Sequence, residues 1–207
     1  MSITNSRAIR EKRSQLTLTD RQKDILVGSL LGDGCLLPNA WQKHYRFQVE
    51  QSDKHKEYVF WLYREFKAWV LQPPRYIESS GSWRFRTISH PELTAVYRRF
   101  YQNGAKTVPP DLTRLLVHPL SLAIWAMDDG CLMPKQGFTF NTQSFSVEEN
   151  EKLRRCLKKN FGLSHTSLHR DKDKVRLYVK RGSVSCLRDI VKPYVRKEFI
   201  YKLPLAP

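Results

Sequence analysis

Two short stretches of this 207-residue chain repeat with one spacing. Leu31-Gly32-Asp33-Gly34-Cys35-Leu36-Leu37-Pro38 returns as Met127-Asp128-Asp129-Gly130-Cys131-Leu132-Met133-Pro134. Ala105-Lys106-Thr107-Val108-Pro109 is echoed by Tyr201-Lys202-Leu203-Pro204. The two Asp and the two Lys share one offset (129 − 33 = 202 − 106 = 96). A single Asp-Gly is usually a turn and nothing more. Two copies, matched by two lysines, point to an acid and a base from each half meeting at a pseudo-two-fold seam.

Each Asp closes an apolar run, Ile25 to Leu31 and Leu120 to Met127. Both carboxylates are thus expected at helix C-termini, the negative end of the macrodipole, where an anion is disfavoured. Packing two such helices together compounds the cost, and a divalent cation relieves it. Hard oxygen donors suit Mg²⁺, with Mn²⁺ as a substitute. Carboxylates that share divalent cations suit in-line displacement at phosphorus. Lys106 and Lys202 would then stabilise charge on the phosphate or orient water. Gln51 and Gln143, related by an offset of 92 (143 − 51), are candidates for hydrogen-bonding water at such a centre.

The elements that must position these groups are legible in outline. Thr19-Asp20 caps a helix running from Arg21 to Asp33. Gly28 and Gly32 lie four apart on one face, where they admit another backbone, and Gly34 is expected to stop the helix in the left-handed conformation. Tyr45, Phe47 and Val49 alternate with His44, Arg46 and Gln48, predicting a strand with an apolar and a hydrogen-bonding face. A helical period follows over 52–70. Arg75–Glu78 and Trp83–Thr87 read as a hairpin that puts Arg84 and Arg86 on one face. A helix is expected over 91–101. The second half repeats the order: a helix ending at Asp129, a strand near 138–141, a helix over 147–160, a hairpin over 167–180 and a helix over 184–192. Residues 107–119, rich in proline, read as a linker. The expected division is a basic tail over 1–20, a first half over 21–106, that linker, and a second half over 120–207.

A net charge of +16 points to a polyanionic partner. With 41% hydrophobic and 12% aromatic residues, the chain has material for a substantial core. No apolar stretch reaches the length of a spanning helix and no signal peptide opens the chain, so no membrane partner is expected. The start, Arg7 to Arg13, reads as a basic arm. Four cysteines at 35, 131, 156 and 186, with no CxxC spacing, argue against a zinc site and for a reducing compartment. The matched Cys35 and Cys131 are expected to pack. The polar strand faces are the candidates for DNA contact: His44, Arg46, Gln48, Arg75, Arg84 and Arg86 from the first half, His169, Arg176, Tyr178 and Lys180 from the second. A two-stranded ribbon fits the major groove, where Arg reads guanine and Gln reads adenine.

Leu26-Val27-Gly28-Ser29-Leu30-Leu31-Gly32-Asp33-Gly34 and Leu122-Ala123-Ile124-Trp125-Ala126-Met127-Asp128-Asp129-Gly130 resemble the paired nine-residue signatures of the LAGLIDADG homing endonucleases. The resemblance runs from about Asp24 to Pro204 and is greatest to single-chain, two-motif members. It implies an α+β fold: two pseudo-two-fold-related αββαββα units packed through their signature helices, with two antiparallel sheets forming a DNA-binding saddle. It implies a monomer that grips a long asymmetric duplex through major-groove contacts on both flanks. Cleavage then falls across the minor groove and leaves 3′ overhangs. Asp33 and Asp129 match the metal-binding acids, with the carbonyls of Gly32 and Asp128 helping. Lys106 and Lys202 match the active-site bases, and Gln51 and Gln143 the solvent-network positions. Trp125 departs from the pattern, being bulky for a helix seam, and Gly28 is expected to make room for it. The same scaffold also serves RNA maturases, which bind intron RNA, and inactive DNA-binding regulators. Retention of both Asp and both Lys favours the nuclease. An organellar origin is expected.

Overall fold

The computed structural model describes residues 7–133 and 137–203; Pro134 and Pro204 of the repeats lie outside the described residues. The chain opens with α1 (Arg7–Ser14) and α2 (Asp20–Leu31), then β1 (Cys35–Pro38), β2 (Tyr45–Ser52), α3 (Lys56–Glu65), β3 (Arg75–Ile77), β4 (Ser82–Arg86) and α4 (Pro91–Phe100). A small hairpin, β5 (Tyr101–Gln102) and β6 (Ala105–Lys106), and α5 (Leu112–Leu115) follow. Then come α6 (Pro119–Asp129), β7 (Gly130–Met133), β8 (Gly137–Phe140), α7 (Val147–Phe161), β9 (Thr166–Asp171), β10 (Lys174–Val179) and α8 (Arg181–Val191). From α2 to α4, and again from α6 to α8, the order is αββαββα, with one sheet in each run. The strands form two four-stranded antiparallel sheets, β1-β2-β4-β3 and β7-β8-β10-β9. The fold is α+β, as expected. No helix among the described residues is long and apolar enough to cross a membrane.

Local chemistry sets the helix ends. Thr19 Oγ1 accepts from the Gln22 amide while Gln22 Oε1 accepts from the Thr19 amide, a reciprocal cap that starts α2. Ser146 and Glu149 do the same for α7, and Gly162, at φ 68°, closes it. Gly34 does not take the expected left-handed conformation. The chain turns at Gly32 and Asp33 and enters β1 through Gly34, with no left-handed residue needed.

The described residues form two compact units. One contains residues up to Lys23 together with Gly34–Arg98, the other Asp24–Asp33 together with Arg99 onward. The expected halves cut the chain elsewhere: the lower end of α2 groups with the second unit because its glycine face packs on α6, as described below. In the first unit, Phe47, Val49 and Phe85 on the sheet's inner face meet Tyr58, Val59 and Leu62 of α3 in the core. The basic segment over 9–18 is docked there rather than loose. Ile9 and Leu18 are buried, the His90 ring is hydrogen-bonded to the Arg13 carbonyl, and the Leu18 amide donates to Glu92. In the second unit, Phe138, Phe140, Leu177 and Val179 pack under Leu153 and Leu157 of α7 and Val184 and Leu187 of α8. Residues 107–119 are likewise no slack linker. Val108, Leu112 and Leu116 are buried, and Asn160 of α7 donates to the Thr113 and Leu116 carbonyls.

Candidate active site

Two glycines bring the signature helices together. A Cβ on Gly28 would lie 2.4 Å from the Ser121 carbonyl and 2.8 Å from Ile124 Cβ; one on Gly32 would lie 2.5 Å from Asp128 Cβ. Only hydrogen fits at either position. Trp125 is not accommodated by Gly28. It turns away from the seam and stacks on Phe140 of β8, with ring centroids 3.9 Å apart. Gly130 is needed for a different reason: a Cβ there would meet the carbonyl of Ala126 in α6, the helix it caps, at 2.2 Å and the Phe138 ring of β8 at 2.3 Å.

This packing gathers Asp33, Asp128 and Asp129 at the C-terminal ends of α2 and α6. The Asp33 amide donates to the Asp128 carboxylate at 3.3 Å. Asp33 is exposed, whereas Asp129 is half-buried. Burial, and after it the charge of Asp33, push the Asp129 carboxyl up to about 7. The ammoniums of Lys106 and Lys202 and the Trp125 indole N–H pull the other way. That indole N–H is buried and makes no hydrogen bond of good geometry.

Both lysines reach the helix ends. Lys106 Nζ donates to the Gly32 carbonyl at 2.7 Å. Lys202 Nζ donates to the Met127 carbonyl and, at 3.1 Å, to that of Asp128. Each therefore caps carbonyls left without a partner by the end of a helix and opposes the negative pole there. Burial lowers the Lys202 ammonium's pKa, and Asp128, Asp33 and Asp129 oppose that shift. A tight hairpin delivers Lys106. Asn103 and Gly104, at φ 51° and 80°, form its turn, and Tyr101 pairs with Lys106. Asn-Gly between short strands is the strongest local hairpin signal, and it lies in the sequence at 103–104. The expected helix over 91–101 matches α4, which ends at Phe100 just before this turn.

The two glutamines do not behave as a matched pair. Gln51 lies in the first unit, in β2 opposite Trp83, with the inward-facing parity of Phe47 and Val49. Gln143, in the second unit, donates its amide to Asp171 Oδ2 at 3.1 Å. Cys131 is exposed and Cys35 half-buried, so the expected packing role for this pair does not hold.

The strand registers set which polar residues share a face. In the first unit Arg46, Gln48, Arg84, Arg86 and Arg75 share a face, through the pairings Gln48 with Arg86 and Arg75 with Arg84. Burial, then crowding by Arg46, Arg75 and Arg84, lowers the pKa of Arg86, which marks a concentrated positive field. His44 departs from this face: its ring lies 3.3 Å from the Thr94 hydroxyl, and burial and then Arg13 lower its pKa. In the second unit Arg176, Tyr178 and His169 share a face, and His169 stacks on Tyr178 at 4.1 Å. Lys180 lies just past β10, exposed at the start of α8.

Among the described residues no cluster of three or more His, Cys, Asp or Glu is arranged to hold a metal. The oxygen donors at the helix ends are the Asp33 and Asp129 carboxylates, the Asp128 carboxylate that accepts from the Asp33 amide, and main-chain carbonyls, all hard oxygen. That set suits a cation which keeps water and substrate phosphate in its shell, as Mg²⁺ does. Burial and, after it, the charge of Asp33 hold Asp129 back from ionising, a cost that a cation there would relieve.

An α+β chain that runs twice through αββαββα, with an acid at the foot of each of two glycine-packed helices, has the architecture of a homing endonuclease. Residues 23–187 match the LAGLIDADG DNA endonuclease family, and the chain belongs to that family. It is 30% identical over 213 residues, 96% of this chain and 91% of the relative, to the probable intron-encoded endonuclease 1 of Wickerhamomyces canadensis. It is 29% identical over 192 residues, 87% of this chain and 72% of the relative, to the cytochrome b mRNA maturase bI2 of Debaryomyces hansenii. Among solved structures it is similar to the homing endonuclease I-WcaI bound to its DNA recognition sequence. The TM-score there is 0.86, with 29% identity over 98% of this chain and 95% of that one.

Proposed function

We propose that this chain is a site-specific homing endonuclease that hydrolyses both strands of a long, asymmetric DNA duplex across the minor groove, leaving 3′ overhangs. The observation that carries the reading is that Asp33, Asp129, Lys106 and Lys202, read from the sequence as one centre, are brought to the same two helix ends. The Asp33 and Asp129 carboxylates, with the carbonyls of Gly32 and Asp128, would hold Mg²⁺ or Mn²⁺. A divalent cation supplies Lewis-acid stabilisation of the phosphate and makes water a nucleophile at neutral pH. The lysines fix the carbonyls they cap; each carbonyl keeps a second lone pair. They also hold positive charge where the phosphate's negative charge grows. Arginine-rich sheet faces supply affinity for the duplex and, in its major groove, base contacts. The protein acts as a monomer, since both acids come from one chain. We place it among organellar intron-encoded proteins, on the strength of its intron-encoded relative.

The maturase-named relative supports a second reading, in which the same basic surface binds intron RNA. A Mg²⁺-dependent cleavage selection on a randomised long-duplex library separates the two. Discrete double-strand cuts at one asymmetric site, absent in Asp33→Asn/Asp129→Asn, support the endonuclease. Binding without cutting in either Mg²⁺ or Mn²⁺ overturns it.

A further inference from the structure

The outward face of the second sheet carries a carboxylate among its cations. Asp171, at the end of β9, accepts at Oδ2 from Arg176 Nε at 3.1 Å and Nη2 at 2.8 Å, and from Gln143 Nε2 at 3.1 Å. The Arg176 and Asp171 side chains keep 34% and 31% of their exposure, so this is a surface device and not a core ion pair. On a surface that only attracts phosphate, such a carboxylate is a loss, because it cancels a cation. On a surface that reads bases, it orders a long side chain before binding.

The geometry fits the second use. Asp171 engages the Nε–Nη2 edge of the guanidinium. The other edge, formed by Nη1 and the second Nη2 hydrogen, takes no part in the contact, and that fork matches guanine O6 and N7. The mount is also fixed from behind. Gln143 follows Thr142, whose hydroxyl donates to Asn150 and accepts from the Leu177 amide of β10. Buried Asn150 in turn donates to the carbonyls of Thr142, Phe145 and Ser146. Next to Arg176 across the register, His169 is held flat on Tyr178. The first unit shows what a looser arrangement looks like. There Glu50 Oε1 is taken by Ser80 and Ser82, and Arg84 makes one contact with Oε2 at 3.4 Å.

We infer that Asp171 and Gln143 are positioning residues that hold Arg176 as a guanine reader, so that one base pair of the target is specified far more sharply than its neighbours. The inference rests on the duplex-DNA reading above. Its test is the binding-site profile of the 207-residue chain, taken in Ca²⁺ on the randomised duplex library and repeated with Arg176→Ala, Asp171→Ala, Asp171→Asn and Gln143→Ala. Arg176→Ala should erase a guanine preference at one position. Asp171→Ala should weaken that same preference about tenfold, the scale of a bidentate base contact. It should also tighten binding to random duplex and steepen the log–log salt slope by about 0.9, as one cation is released to phosphate. Asp171→Asn guards against misfolding, because it keeps the shape and an acceptor and should fall between wild type and Asp171→Ala. Gln143→Ala should relax the same base pair to a smaller degree. A profile unchanged at the Arg176 position in Asp171→Ala, or sharpness lost evenly at every position, overturns the inference and leaves the endonuclease standing. A wild type that selects no sequence overturns the DNA reading and the inference with it.

Discussion

The two copies of the Asp-Gly motif share their residue types and differ in their electrostatics. After α2, Asp33 is exposed, its neighbour is Gly32, and Lys106 caps one carbonyl. At the end of α6, Asp129 is half-buried, its neighbour is Asp128, and Lys202 caps two carbonyls from a desolvated position. The difference comes from what packs around each motif. Trp125 and Phe140 dry the second copy, while the first ends beyond its helix in water. A repeat in sequence thus marks where chemistry sits, and the neighbours set how each acid behaves.

The largest effects should come from the acids themselves. Asp33→Asn and Asp129→Asn should each lower cleavage of a selected-site plasmid by about a thousandfold or more, as expected when a metal donor is removed. Equal residual activity to wild type in either would break the pairing. The lysines should rank unequally. Lys202→Met should cost about tenfold more in single-turnover rate than Lys106→Met, because the buried ammonium acts through a drier medium. Equal losses would show that burial does not decide the matter. At the seam, Gly28→Ala should destabilise by roughly 2 kcal/mol despite alanine's better helix propensity, because the new Cβ meets a fixed carbonyl. A denaturant midpoint at or above wild type would contradict the close packing.

The smallest effect is on stability against pH. Asp129 has a folded pKa of about 7, above its unfolded value of 3.8. Between those values the folded state holds more protons than the unfolded one, so this carboxyl's contribution to stability falls as pH rises from about 4 through 7. In chelator, Asp129→Asn should therefore raise Tm by a few degrees at pH 7.5 and leave it nearly unchanged at pH 4. An unaltered Tm at both pH values would count against the raised pKa.

Most of the architecture was legible because it is written in local signals. The alternation over Tyr45–Val49, the helix start at Thr19-Asp20, and the glycine pair at 28 and 32 each fix an element or a contact by short-range chemistry. The paired Asp and Lys were legible for a different reason: a shared offset survives where the surrounding sequence has diverged. What was not legible depends on partners far along the chain. Trp125 looked like a problem for the seam and is instead part of the second sheet's core, which only the placement of Phe140 reveals. Residues 107–119 looked like a linker because they are rich in proline, yet Val108, Leu112 and Leu116 are buried in the second unit. Gln143 matched Gln51 in spacing, but Asp171, brought near by the β9–β10 hairpin, claims its amide.

The most direct test of this account is the titration of the Asp129 carboxyl by carbon-detected NMR in chelator, in the wild type and in Asp33→Asn. The account predicts a midpoint near 7 in the wild type, displaced downward in Asp33→Asn because one of the two causes of the shift has been removed. A midpoint near 4 in both proteins would contradict it: the two acids would then not form one electrostatic centre.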